Sequence, residues 1–428
     1  MTIYDFSCAF YFKENFDKLV MIEYLKKKDQ VTQKEINESA KIATSNYRRA
    51  QLKGFIGYEE MVDKMANYLN IQTKIDPSTI EELDQNFSRF YTSVCFSQSD
   101  EVKKHFDSIN EKKALYENSI LMIEFYLAQL IFYITDINYS RQMHREKQNE
   151  AIAFLSNFVD KMSSEHRFLY YDFMCTKSAI EKDRENVVHY ARLTSYLAVN
   201  YPELEPTANY HISFSYSLIS DFINALIYAN KALPKLEEQL NYVRAVFCRV
   251  NIAALYKKLG NIDEAKRLLR KNLVYISYSK LDKLLRATEL NYADCLLMEE
   301  NYSEALEHYN IILDGVLKKP DYESIMKTYC LYKLNRIDEA NNYTVELELL
   351  HKDKKYNYEY LSLIQFFRSY FNKEDNLDKA YRTAEEQMPG YALRGSYIQE
   401  LAKSLFEGTN NKKQTKLPSD SQPADYIL

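Results

Sequence analysis

Apolar residues recur at helical spacing along most of the chain, and short polar turns break them at near-regular intervals. In LYKKLGNIDEAKRLLRKNL, Leu255 to Leu273, one amphipathic run ends at Leu259-Gly260, Asn261 to Asp263 turn the chain, and Ala265 opens a second apolar face. The same grammar returns around Ala225, Ala305, Ala340 and Ala380, with successive anchors 40, 40, 35 and 40 residues apart, and a weaker member lies near Val187. A small anchor lets the second helix of a pair approach the first, and a Tyr or Leu nine residues upstream fills the gap between pairs. The pattern therefore predicts stacked helix pairs. From about Thr79 to Asp160 the repeat is degenerate but amphipathic pairs continue. The most apolar stretch, Ile120 to Ile137, carries Glu124, Gln129 and Asp136, which favours a buried helix over a membrane span.

Composition supports this picture. A chain of 428 residues is too long for one compact core, and only 7 Gly and 8 Pro leave few turn signals for strands, so the expected class is all-α. Cys8, Cys95, Cys175, Cys248, Cys295 and Cys330 stand singly, with neither a CxxC pair nor a nearby His, which points to free thiols and to no metal site. Asp5, Lys13 and Glu14 interrupt the start where a signal peptide needs an apolar run. A cytoplasmic protein without membrane or cofactor partners is expected. The tail 408–428 is polar, holds Pro418 and Pro423, and reads as disordered.

The first 72 residues break the pattern. Thr32 with Glu35 has the form of a capping box opening TQKEINESA, and TSNYRRAQLK follows with Thr44 or Ser45 as the expected cap. Ile36, Ala40, Ile42, Tyr47 and Ala50 fall where two short crossing helices bury residues, and Met61, Met65, Tyr68 and Leu69 are placed to close a small core. Thr44, Ser45, Asn46, Arg48 and Arg49 are left facing outward. The whole chain is net −5, and residues 1–72 hold eleven Lys and Arg against ten Asp and Glu, so positive charge is concentrated locally in Thr44 to Lys53. The expected organisation is 1–72 as a head, 73–78 as a linker containing Pro77, 79–407 as the repeat array, and 408–428 as the tail.

Within the repeats, His211, Asn251 and Asn291 each stand 14 residues before an anchor. An amide register of this kind suits the backbone of an extended peptide, because Asn both donates and accepts. Arg244, Arg249 and Arg286 lie on the same predicted helices and suit a carboxylate, while Tyr210, Phe214, Tyr256 and Tyr292 offer apolar walls. The same residues equally suit a role in bonding and filling the helix stack.

The repeats resemble tetratricopeptide repeats with intervals mostly longer than 34 residues, which implies a right-handed α-solenoid. From about Leu19 to Ile71 the head resembles a lambda-repressor or Xre-type helix-turn-helix domain, although Asn37 and Lys41 stand where that family usually has Ala and Gly. This resemblance implies that Thr44, Ser45, Asn46, Arg48 and Arg49 contact bases and nearby phosphates of double-stranded DNA, and that Gln33 and Lys53 hold its backbone. Head plus repeats is similar to the RRNPP quorum-sensing regulators of Gram-positive bacteria, including PlcR-, Rgg-, PrgX- and RstA-type members. That similarity implies a homodimeric transcriptional regulator whose repeats bind a short signalling peptide, with His211, Asn251 and Asn291 in the backbone-holding role. No catalytic constellation is visible in the sequence, so an enzyme is not expected. The alternative is an interaction scaffold, or a protein that binds response regulators, without sequence-specific DNA binding.

Overall fold

The computed structural model describes residues 14–408 apart from 54, 56, 72–75, 118, 120, 136–143, 280–281, 315–321, 353–357 and 388–400. The expectations for the N-terminal segment with Cys8, for linker residues 73–75 and for the tail beyond 408 lie outside these residues. The architecture is all-α, and among the described residues there is no strand.

Four helices form the head: α1 (Glu14–Lys28), α2 (Gln33–Ser39), α3 (Thr44–Leu52) and α4 (Glu59–Tyr68). They are followed by α5 (Pro77–Cys95), α6 (Ser99–Glu111), α7 (Lys113–Glu117), α8 (Met122–Thr135) and α9 (Arg145–Leu155). The regular pairs then run α10 (Ser164–Ile180) with α11 (Arg184–Ala198), α12 (Glu205–Leu218) with α13 (Phe222–Glu238), and α14 (Tyr242–Lys258) with α15 (Ile262–Ser279). They continue as α16 (Asp282–Met298) with α17 (Tyr302–Asp314), α18 (Tyr322–Lys333) with α19 (Ile337–Lys352), and α20 (Tyr358–Phe371) with α21 (Leu377–Gln387). Two compact units divide them. The first runs through Asp221 and includes Pro234–Arg244, and the second comprises Phe222–Leu233 and everything from Ala245 onward.

One device closes the turn inside every regular pair. The first helix ends in a left-handed residue: Lys182, Ser220, Gly260, Glu300, Asn335 and Lys373 have φ of 62°, 62°, 80°, 60°, 59° and 54°. The next N–H then reaches five residues back, as from Asp221 to Tyr216 O at 2.9 Å and from Asn261 to Tyr256 O at 2.8 Å. This satisfies carbonyls that the helix end leaves open. Asn261 and Asn301 then accept the N–H groups of Glu264 and Glu304 at 3.3 and 3.4 Å, which starts the second helix. Glycine occupies only one of these six left-handed positions, so the repeat is written by capping residues more than by glycine. The anchors Val187, Ala225, Ala265, Ala305 and Ala340 are fully buried. Ala380 is half-buried instead, and Ala384 takes the inward place in α21.

In the first unit, α8 is a buried helix, as its apolar run predicts. No helix among the described residues is long and apolar enough to cross a membrane. Within α8, Glu124 Oε1 lies 3.1 Å from His166 Nε2 of α10, both side chains being fully buried. Phe132 of α8 stacks on Phe106 of α6 with centroids 3.7 Å apart, so the degenerate stretch is held by aromatic contacts.

Candidate functional site

The head is built from the turn outward. Thr32 caps α2 reciprocally with Glu35: the Thr32 N–H donates to Glu35 Oε2 at 2.6 Å, and the Glu35 N–H donates to Thr32 Oγ1 at 3.3 Å. The Thr32 backbone bond, then its hydroxyl, holds the Glu35 carboxyl below its ordinary value. At the far end of α2, Lys41 adopts φ 57° and the Ile42 N–H returns to Asn37 O at 2.7 Å. A lysine thus occupies the left-handed position that glycine would take with less strain.

Helix α3 is set by Ile42, Ala50 and Phe55, all buried, with the Tyr47 ring edge-on to Phe55 at 5.7 Å. The expected cap at Thr44 or Ser45 is corrected: Ala43 is the N-cap and gives no side-chain bond, so Thr44 is already helical. Ile42 is held in the core, which starts the helix one residue earlier. Tyr68 is also corrected, being 40% exposed, while Val62 and Ala66 share the closing face of α4 with Met65.

Thr44, Ser45, Asn46, Arg48, Arg49 and Lys53 are all exposed. Among the described residues no ion pair engages Arg48, Arg49 or Lys53, although nearby Lys18, Lys34 and Lys64 pair with Asp63, Glu38 and Glu60. Helix α3 also has no acid in its first turn, so its positive end is not neutralised from within. Gln33 departs from the group. It is half-buried and turns inward, donating to Asn37 Oδ1 at 2.9 Å.

On its other side α1 meets the helices that follow the head. Tyr24 donates to Glu117 Oε1 at 2.7 Å and sets its ring edge-on to Phe154 at 6.0 Å. Burial, then the bond to Glu117, raises the Tyr24 hydroxyl well above its ordinary value.

The residues picked for a peptide groove are largely interior. Tyr210, His211, Phe214, Arg244, Arg249, Asn251, Asn291 and Tyr292 are each less than a tenth exposed, while Tyr256 and Arg286 are half-buried. In the first unit His211 Nδ1 lies 2.7 Å from Asp172 Oδ2, and its Nε2 lies 3.4 Å from Arg244 Nη1. Arg244 covers the Tyr210 ring at 5.0 Å and donates to Cys95 O at 3.1 Å and to Val94 O, the last carbonyls of α5. Burial pushes the Cys95 thiol up to about 12 despite the opposing pull of Arg244.

In the second unit Arg249 donates to Asn272 Oδ1 at 2.8 Å, and Arg286 donates to Glu323 Oε1 at 2.7 Å. Asn291 donates to Ala287 O at 2.9 Å and accepts from Lys257 Nζ at 3.2 Å. Lys257 also reaches Asp294 Oδ2 at 3.4 Å, and the Tyr309 and Tyr322 hydroxyls donate to Asp294 Oδ1 at 2.8 and 3.0 Å. Asp172, Lys257, Asp294 and Glu323 were missed from the sequence. Their signal was available, since each is a charge on an otherwise apolar helix face. A depression of 340 Å³ in this unit, bordered by Asn310, Lys327, Asn342 and Tyr343, contains none of the picked residues.

No family model matches the sequence, and no curated protein matches it. Solved structures do share the fold. Apo RapI superposes with a TM-score of 0.60 at 15% identity, covering 78% of this chain and 92% of that one. The apo quorum sensor NprR from B. thuringiensis gives 0.55 at 15%, covering 76% and 97%, and NprR with its cognate peptide NprX gives 0.50 at 16%, covering 79% and 99%. A Rap protein complexed with competence and sporulation factor gives 0.54 at 15%, covering 77% and 91%. The chain thus has the all-α, tetratricopeptide-like repeat fold of these proteins.

Proposed function

We propose that this protein is a DNA-binding transcriptional regulator whose repeats sense a short signalling peptide. The observation that carries the DNA reading is the outward face of α3. There two guanidiniums and Lys53 stand free of ion pairs among the described residues, while Tyr47 and Ala50 lock the opposite face to the head. Helix α3 enters the major groove, where Arg suits the paired acceptors of guanine and Asn46 suits adenine. Thr44 and Ser45, at the uncapped N-terminus, take a phosphate. The inward turn of Gln33 leaves it the role of orienting α2.

The peptide reading rests on the fold shared with NprR, which is solved with its cognate peptide, and with the Rap protein solved with competence and sporulation factor. The buried polar groups within each unit, His211 in the first and Asn251 and Asn291 in the second, support it by offering side chains that exchange partners when a peptide backbone arrives. The protein works as a homodimer in which peptide alters operator affinity, and linkage requires operator to alter peptide affinity by the same factor.

Genome-wide DNA capture with the wild type beside Arg48→Ala/Arg49→Ala tests the DNA reading. Discrete peaks lost in the variant are expected. Equal peaks, or none from either protein, would favour a scaffold that binds a protein partner.

A further inference from the structure

Leu52 is 89% exposed, the most exposed of the large apolar side chains described in the structure. Exposure of one leucine means little by itself, but its position is specific. Residues three, four and seven apart share one face of a helix, so Leu52 continues the outward ridge of Ser45, Arg48 and Arg49. It lies one helical turn after Arg48 and Arg49 on that ridge. The inward face of α3 is already filled by Ala50 and Tyr47, so the isobutyl group is left over from no packing requirement in the head.

An apolar group on a helix face shared with exposed cations fits few surfaces. A second head would bring like charges together, which opposes association. Duplex DNA offers the opposite arrangement: its flanks are anionic, and its major groove presents one apolar group, the thymine 5-methyl. We infer that Leu52 is a specificity-determining residue that packs against a thymine methyl in the operator, next to the bases contacted by Arg48 and Arg49. This rests on the DNA reading above and adds to it a base preference that charge does not supply.

The test uses the full chain and a pool of duplexes with a randomised core. Wild type, Leu52→Ala and Arg48→Ala/Arg49→Ala are each carried through selection. In the duplex enriched by the wild type, each thymine is then replaced in turn by deoxyuridine, which removes only the methyl. Wild-type affinity is expected to fall about fourfold at one thymine per half-site, the factor that burial of one methyl-sized group gives. Leu52→Ala is expected to bind both duplexes alike and to lose the thymine preference while keeping the rest of the selected sequence. At so exposed a position this variant leaves the fold intact. A wild type indifferent to every replacement, or a Leu52→Ala protein as sensitive as the wild type, would overturn the assignment while leaving the arginine-dependent DNA reading standing. A pool with no enrichment would overturn both.

Discussion

Arg244 Nε donates to the main-chain oxygen of Cys95, 149 residues earlier, at 3.1 Å. Asn241 Nδ2 donates to the same oxygen at 3.0 Å. The Cys95 carbonyl that ends α5 is thus closed by side chains from α14 and the turn before it, while the Val94 carbonyl takes Arg244 beside the Ser97 N–H of its own turn, at 3.1 Å. A guanidinium at the negative end of a helix is favourable, and burial makes its loss expensive.

Arg244→Met is therefore expected to lower stability by about 2–3 kcal/mol, read as an earlier midpoint in urea denaturation. Arg244→Lys keeps the charge but not the fork, so it should recover only part of that loss. Equal midpoints for all three proteins would show that the α5 carbonyls find other donors.

Lys257 and Asp294 are both buried, with the two tyrosine hydroxyls on the same carboxylate. Removing the cation alone leaves a buried charge, so Lys257→Met should destabilise by about 3–5 kcal/mol. The pair Lys257→Met/Asp294→Asn should recover much of it, because the amide oxygen still accepts from Tyr309 or Tyr322. Thermal denaturation of the single and double variants measures the difference.

Gly260 has φ 80° and nothing within 4 Å of an added Cβ, so Gly260→Ala meets only backbone strain. The expected loss is about 1 kcal/mol. Glu300 holds the equivalent turn at φ 60°, and Glu300→Gly should move stability the other way by up to about 1 kcal/mol. Hydrogen exchange of the flanking helices reads both changes locally.

The Glu35 carboxyl is lowered by its bonds to Thr32. A depressed acid adds stability above its unfolded value, about 4.3, and loses it as pH falls through the lower folded value. The α2 amides should therefore lose exchange protection below about pH 4. Glu35→Gln, which is not ionised, should remove that pH dependence in the same measurement.

The helix pairs, the anchors from Val187 to Ala340 and the Thr32–Glu35 box were legible in the sequence because their causes are local: apolar spacing, a cap, or a turn within a few residues. The same holds for the outward position of Arg48 and Arg49, since one face of α3 must be buried. The cap of α3 was misread because Ala43 carries no capping atom, and the burial of Ile42 decided where the helix begins.

What the sequence by itself determined, then, was an all-α chain of paired helices. The tertiary structure decided the company of the polar residues on inner helices. His211 looks the same in sequence whether it faces solvent or Asp172, 39 residues away. Arg244 gives no sign that its partners are Val94 and Cys95, and Tyr24 none that it meets Glu117. Helical periodicity tells which side of a helix a residue occupies, but only packing brings distant groups to that side and excludes water from the bonds they form.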